Sequence, residues 1–337
     1  MSDAAELLGS LLICGFEGST LPEQLQNALS RRQLGGVILF ARNYQNREQL
    51  RRLTDAIREA QPQTLIAVDQ EGGRVVRFAE DFPTFPSPAY YVEQGDLAGL
   101  YQATKVTAAQ LRELGVNFNL TPVCDLAPTA KQHVIATRAA SSDPALVSAI
   151  VKQQITIMRE EGILSCAKHF PGLGSAVGDP HSLLSRSSRS REEFRALDYQ
   201  PFRAACEAGV DAVMPTHLLA TNLDSVNAAT FSRTIVQEEL RGYLGFEGLV
   251  ITDDLTMGAV TEYHGPVEAA EAALRAGCDL LLYERLDTFP EEFVAQVATK
   301  LETEEPLSER LLESNARLAR LRENRSFAFD LVPPHTL

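Results

Sequence analysis

Gly162-Ile163-Leu164-Ser165-Cys166-Ala167-Lys168-His169-Phe170-Pro171-Gly172 decides how the rest of the chain is read. Its first six residues form an apolar run of strand length, too short for a helix. Such a run fits a parallel sheet covered on both faces. It brings Lys168 and His169 to the point where the strand is expected to become loop. Leu173-Gly174-Ser175-Ala176-Val177-Gly178-Asp179-Pro180-His181 follows, so a second ionisable pair, Asp179 and His181, lies beyond a glycine-punctuated segment. A loop of this composition builds core poorly and presents side chains to a ligand well.

The same alternation extends in both directions. Apolar runs at 8–16, 35–40, 64–68 and 115–120 lie upstream, and 211–214, 248–251 and 279–283 lie downstream. Helical patterns at 21–32, 46–60, 97–114, 143–161, 199–208, 234–243 and 267–276 separate them, and two more, at 290–302 and 308–324, close the chain. Eight strand–helix units predict an α/β chain, a single (β/α)8 TIM-type barrel over 1–325 with a C-terminal tail at 326–337. The competitor is an open doubly wound sheet. It calls for a glycine-rich phosphate loop after an early strand, and neither GxGxxG nor GxxxxGK[ST] occurs.

The net charge of -14 argues against a nucleic-acid or anionic-membrane partner, which usually requires a basic face, while leaving room for a local basic patch toward an anionic substrate. The five cysteines, Cys14, Cys124, Cys166, Cys206 and Cys278, are odd in number and form no CxxC pair, which suits a reducing compartment. The N-terminus is acidic and lacks a basic start, and no apolar run approaches the roughly 18 residues of a membrane span. The expectation is a cytoplasmic monomer acting on a small molecule.

In a barrel the active site lies at the C-terminal ends of the strands. Residues just past the expected strands are Asp69, Asp125, Lys168-His169, His217 and Asp253-Asp254. Any one of them is as readily a helix cap as a ligand contact. Together they form a mouth of carboxylates, lysine and imidazole, suited to hydroxyl groups that both donate and accept hydrogen bonds. No HxH or HExxH spacing is present, so neither a metal nor another cofactor is expected.

Four motifs then make the pattern specific: Asp69-Gln70-Glu71-Gly72-Gly73-Arg74-Val75-Val76-Arg77; Lys168-His169-Phe170-Pro171-Gly172; Asp179-x-His181; and Ile251-Thr252-Asp253-Asp254-Leu255-Thr256-Met257. In this order, with Gly115-Val116-Asn117-Phe118-Asn119, Val134-Ile135-x-x-Arg138 and Met214-Pro215-Thr216-His217 between them, the chain resembles glycoside hydrolase family 3 from about residue 8 to 320. It is most similar to the single-domain β-N-acetylglucosaminidases of the NagZ type. The resemblance implies a retaining exo-β-N-acetylhexosaminidase that removes terminal β-linked N-acetylglucosamine from peptidoglycan-derived muropeptides through a covalent glycosyl-enzyme. It places the nucleophile on Asp253 and the acid/base on His181, with Asp179 as the orienting partner. Sugar contacts fall on Asp69, Arg77, Arg138, Lys168 and His169. The chain departs from the family at Leu173, where histidine is common, at Pro180, where serine is common, and in Ala228-Ala229-Thr230-Phe231-Ser232, where the family has Pro-Ala-Thr-x-Ser.

The residues themselves fit these roles. A nucleophile must be rigid and ionised, which a strand end in a cationic mouth provides. An imidazole, with an ordinary pKa of about 6.5, suits proton transfer near neutrality. The loop segment 174–178 is expected to be mobile so that it can deliver His181. His217 stays open between a buried structural histidine and a ligand contact, and Asp254 reads as a cap. Phosphate rather than water as final acceptor, a β-glucosidase, and a non-catalytic sugar-binding barrel are the alternatives.

Overall fold

The computed structural model describes residues 3–128, 135–177, 184–286, 290–301 and 305–330. Ten strands occur among them: β1 (Leu12–Cys14), β2 (Gly36–Leu39), β3 (Leu65–Val68), β4 (Phe118–Asn119), β5 (Leu164–Phe170), β6 (Ser185–Ser187), β7 (Ala212–Pro215), β8 (Leu218–Ala220), β9 (Leu249–Val250) and β10 (Leu281–Tyr283). Eight form one parallel sheet in the order β10-β1-β2-β3-β4-β5-β7-β9. The order follows the chain without reversal, whereas an open doubly wound sheet reverses at a switch point. At its two ends, Ile251 beside β9 forms a parallel bridge with Leu280 beside β10. The sheet is curled, with helices packed outside it.

Local chemistry sets the helix limits. Asn46 caps Arg47–Ala60 by accepting the Gln49 N–H at 2.9 Å, and Asp143 caps Pro144–Glu160 by accepting that of Ala145 at 2.9 Å. Gly277, with φ of 112°, ends Pro266–Ala276 in the left-handed region. The main-sheet strands are buried throughout, as expected for a sheet covered on both faces.

Two expectations change. The apolar run 8–16 is not one strand: Asp3–Gly9 is helical, and only Leu12–Cys14 pairs in the sheet. An apolar run alone does not separate a buried helix end from a strand. In addition, β5 does not stop at Ala167. It continues to Phe170, so Lys168 and His169 are strand residues rather than loop residues. Register with β7 shifts between Lys168 and Phe170.

Candidate active site

The C-terminal ends of the strands surround a cavity of about 420 Å³, enough for one small ligand. Asp69, Glu71, Arg77, Arg138, Lys168, His169 and Asp253 all line it. Of the eight residues expected from sequence as catalytic or sugar-binding, six, Asp69, Arg77, Arg138, Lys168, His169 and Asp253, meet at this one cavity, and Asp179 and His181 lie outside the described residues.

Lys168 is the hub. Its Nζ donates to Asp69 Oδ1 at 2.6 Å and lies 2.7 Å from Glu71 Oε1. Arg138 reaches the same Glu71 carboxylate with two bonds, Nε to Oε2 at 2.8 Å and Nη2 to Oε1 at 2.6 Å. Arg77 Nη2 donates to Asp69 Oδ2 at 3.3 Å. Two carboxylates and three cations thus form one connected chain, most deeply buried at Lys168 and Glu71 and more open at Arg77. Burial alone would raise the pKa of Asp69 and Glu71, but Lys168, with Arg77 and Arg138 respectively, outweighs it and holds both below the usual carboxylate range. Burial would likewise pull Lys168 down; Asp69 and Glu71 outweigh it and raise its pKa. Glu71 was missed in reading the sequence. It sits two residues past Asp69 in the same motif, and charge at that spacing gives no sign of its double partnership.

His169 is oriented from behind. Its Nδ1 lies 2.6 Å from Asp125 Oδ2, and the other oxygen of Asp125 accepts the Leu173 N–H at 2.6 Å. The His169 Nε2 faces the cavity 3.3 Å from Arg138 Nη2. Asp125 is wholly buried and belongs to this support, not to the cavity wall.

Asp253 stands just past β9. Its Oδ2 accepts the Thr216 hydroxyl at 3.0 Å, and its Oδ1 accepts the Asp254 N–H at 2.9 Å. Burial opposes ionisation, but the neighbouring His217 and His169 imidazoles and these two hydrogen bonds outweigh it, so the pKa lies below the usual value. Asp254 differs. Its oxygens are taken by the Glu284 N–H at 2.8 Å, the Thr256 N–H at 3.0 Å and the Thr256 hydroxyl at 2.6 Å, and burial raises its pKa. It fastens the turn after β9 and ties it to the chain after β10. Of the paired aspartates, one is held ionised and the other is structural.

A matching family model covers residues 6–321 and is described as the glycosyl hydrolase family 3 N-terminal domain. The chain belongs to glycoside hydrolase family 3. It is a glycoside hydrolase by that membership. It is 39% identical over 325 residues to a β-hexosaminidase of Alkalilimnicola ehrlichii, covering 92% of this chain and 90% of the relative. A β-hexosaminidase of Chromobacterium violaceum is 40% identical over 303 residues, covering 87% and 83%. Among solved structures, a family 3 β-N-acetylglucosaminidase from Paenibacillus superposes with a TM-score of 0.92 at 29% identity. That match covers 98% of this chain but 64% of the solved one. NagZ from Neisseria gonorrhoeae in complex with N-trifluoroacetyl-D-glucosamine gives 0.76 at 30% identity, covering 95% and 97%. In this glycoside hydrolase the described part of the segment 174–178 is packed at Gly174 and Ala176 and open to solvent at Val177. Leu173 and Ala176 bury against Leu218, and a Cβ on Gly174 would lie 2.0 Å from the Leu126 carbonyl oxygen. Gly178 lies outside the described residues.

Proposed function

We propose that the chain is a retaining exo-β-N-acetylhexosaminidase that releases terminal β-linked N-acetylglucosamine from peptidoglycan-derived muropeptides. The observation that carries this reading is Asp253, ionised and held by two hydrogen bonds beside a cavity that the Asp69–Lys168–Glu71–Arg138 chain also lines. The relatives named β-hexosaminidase and the NagZ complex with an N-acylglucosamine support the choice of sugar. In the first step an Asp253 oxygen attacks the anomeric carbon as the glycosidic C–O bond breaks. His181, oriented by Asp179, gives its proton to the leaving oxygen. Water then attacks the same carbon, His181 takes its proton, and the ester to Asp253 breaks. Lys168, Arg138, Arg77, Asp69 and His169 bind the sugar. Lys168 and Arg138 are already matched by Asp69 and Glu71, which favours neutral water over phosphate as the final acceptor.

We further read the curled sheet as a closed (β/α)8 barrel. The Ile251–Leu280 bridge and the bonds from Thr252 N–H to Leu280 oxygen (3.0 Å) and from Leu280 N–H to Val250 oxygen (3.0 Å) support closure. The five free cysteines support a reducing compartment.

The test is kinetic. Asp253→Ala is expected to abolish turnover of aryl N-acetyl-β-glucosaminides. His181→Ala should slow substrates with poor leaving groups far more than activated aryl substrates. Equal losses on both would remove His181 as the proton donor. Faster hydrolysis of the aryl β-glucoside than of the N-acetylglucosaminide would overturn the specificity.

A further inference from the structure

His217 and the segment Ala228-Ala229-Thr230-Phe231-Ser232 have no part in the reaction just described, yet they converge on Asp253. His217 lies two residues past the end of β7, is wholly buried and does not line the cavity. Its Nε2 lies 2.9 Å from the Asp254 carbonyl oxygen. A carbonyl only accepts, so Nε2 carries the proton and donates. Its Nδ1 lies 3.0 Å from the Thr230 hydroxyl. That hydroxyl is also 3.1 Å from the Pro215 carbonyl oxygen, which in turn accepts the Asp253 N–H at 3.3 Å. The contacts close a bracket. It starts at the Asp253 N–H, passes through Pro215, Thr230 and the His217 ring, and returns to the chain at the Asp254 carbonyl. The Thr230 hydroxyl carries one proton and gives it to Pro215 or to Nδ1; with Nδ1 unprotonated, the remaining contact of the two is packing rather than a hydrogen bond. The ring lies nearly parallel to Phe231, with centroids 6.0 Å apart and 15° between planes, which limits its rotation.

We propose that His217, backed by Thr230, is a positioning residue for Asp253. This rests on Asp253 being the nucleophile. The bracket holds the chain on both sides of Asp253, while Thr216, the neighbour of His217, holds the carboxylate itself. A nucleophile must approach the anomeric carbon on a narrow line, and a displacement of about 1 Å costs on the order of a hundredfold in rate. A wholly buried ring with one nitrogen committed to the main chain after Asp253 supplies that restraint without touching substrate. The altered family element at 228–232 acquires a purpose here: its threonine is retained where the bracket needs a hydroxyl.

The experiment uses the full chain and three variants: His217→Gln, His217→Asn and Thr230→Val. A glutamine amide places its donor near the Nε2 position, and an asparagine amide places it near Nδ1. The readout is the rate of labelling of Asp253 by 5-fluoro-N-acetylglucosaminyl fluoride, with the adduct located by mass spectrometry and the melting temperature measured alongside. The expected result is a loss of about tenfold or more in His217→Asn and a smaller loss in His217→Gln. Thr230→Val should fall between wild type and His217→Asn. With an aryl substrate the losses should appear in kcat and leave KM within about twofold, because His217 does not line the cavity. Wild-type labelling rates in the folded variants would overturn the proposal, as would equal losses in Gln and Asn that merely track melting temperature. Wild-type labelling at a residue other than Asp253 would overturn the nucleophile assignment, and this proposal with it.

Discussion

Glu71 shows what a single residue does here without touching the reacting bond in the proposed mechanism. It is nearly inaccessible, yet it contacts both Lys168 and Arg138. Breaking a buried ion pair from one side leaves the other side uncompensated, at a cost of about 3–5 kcal/mol. Glu71→Gln keeps the shape and removes the charge. Lys168 still has Asp69, but Arg138 loses the carboxylate that holds it and becomes free to turn toward His169. The expected outcome is a rise of about tenfold or more in KM for an aryl N-acetyl-β-glucosaminide, a smaller change in kcat, and a lower melting temperature. Steady-state kinetics and thermal unfolding check this; an unchanged KM would show that the pair is not needed to hold the sugar. The contrast with Asp69, Lys168 and Asp253 shows the limit of sequence at this scale. Those residues could be read because each ends, or nearly ends, an apolar run. Glu71, Asp125 and Thr216 act through partners 37 to 97 positions away along the chain in the folded molecule, and nothing in their immediate neighbours announces it.

At the scale of elements, the segment after β5 is pinned from outside by a helical turn. Phe194–Asp198 places Asp198 against Gly172, where a Cβ would lie 2.7 Å from the Asp198 Cβ. Asp198 is buried, contacts Arg189, and has one oxygen with no partner among the described residues. Burial outweighs Arg189 and lifts its pKa from 3.8 to about 7. The sign follows from linkage. Below about pH 4 both folded and unfolded states hold the proton, so the group costs nothing. Between about pH 4 and 7 the unfolded chain releases the proton first, and stability falls as pH rises. Asp198→Asn is therefore expected to gain stability relative to wild type at pH 8 and to lose that gain near pH 4. Paired denaturation curves at the two pH values measure it; equal differences at both would mean that Asp198 ionises normally. No sequence pattern pointed to this turn, nor to the small sheet of β6 and β8, because short strands of Ser-Arg-Ser and Leu-Leu-Ala lack periodicity long enough to read. The eight strand–helix units were legible for the opposite reason: each pairs an apolar run with an amphipathic helical pattern. The extension of β5 through Lys168 and His169 was hidden because charged residues normally mark a strand's end, and here they point into a polar mouth.

At the scale of the whole molecule, chemistry and stability occupy opposite ends of the sheet, as the fold class leads one to expect. The cavity lies past the C-terminal ends of the strands, while Asp279 and Asp211 lie before the N-terminal ends of β10 and β7. Asp279 is wholly buried. It binds Arg241 at 2.7 Å, Arg317 at 3.1 Å, the Ser314 hydroxyl at 2.8 Å and the Val250 N–H at 2.9 Å, and it also contacts Arg310. Three of these partners come from the closing helix Glu305–Asn324, so one carboxylate fastens that helix to two strands. Asp211 does less of the same work, taking Arg325 at 2.7 Å and the Ser165 N–H at 2.9 Å. Asp279→Asn keeps the volume and leaves three guanidinium groups facing a neutral amide. The expected loss is about 3–5 kcal/mol, with a smaller loss for Asp211→Asn because only one arginine is left unmatched. Since neither residue lines the cavity, kcat and KM measured well below the melting temperature should stay within about twofold of wild type. Chemical denaturation beside steady-state kinetics separates the two quantities. A fall in kcat at intact stability would mean that the floor of the sheet is mechanically coupled to Asp253, across strands β7 and β9, and that the division between the two ends is incomplete.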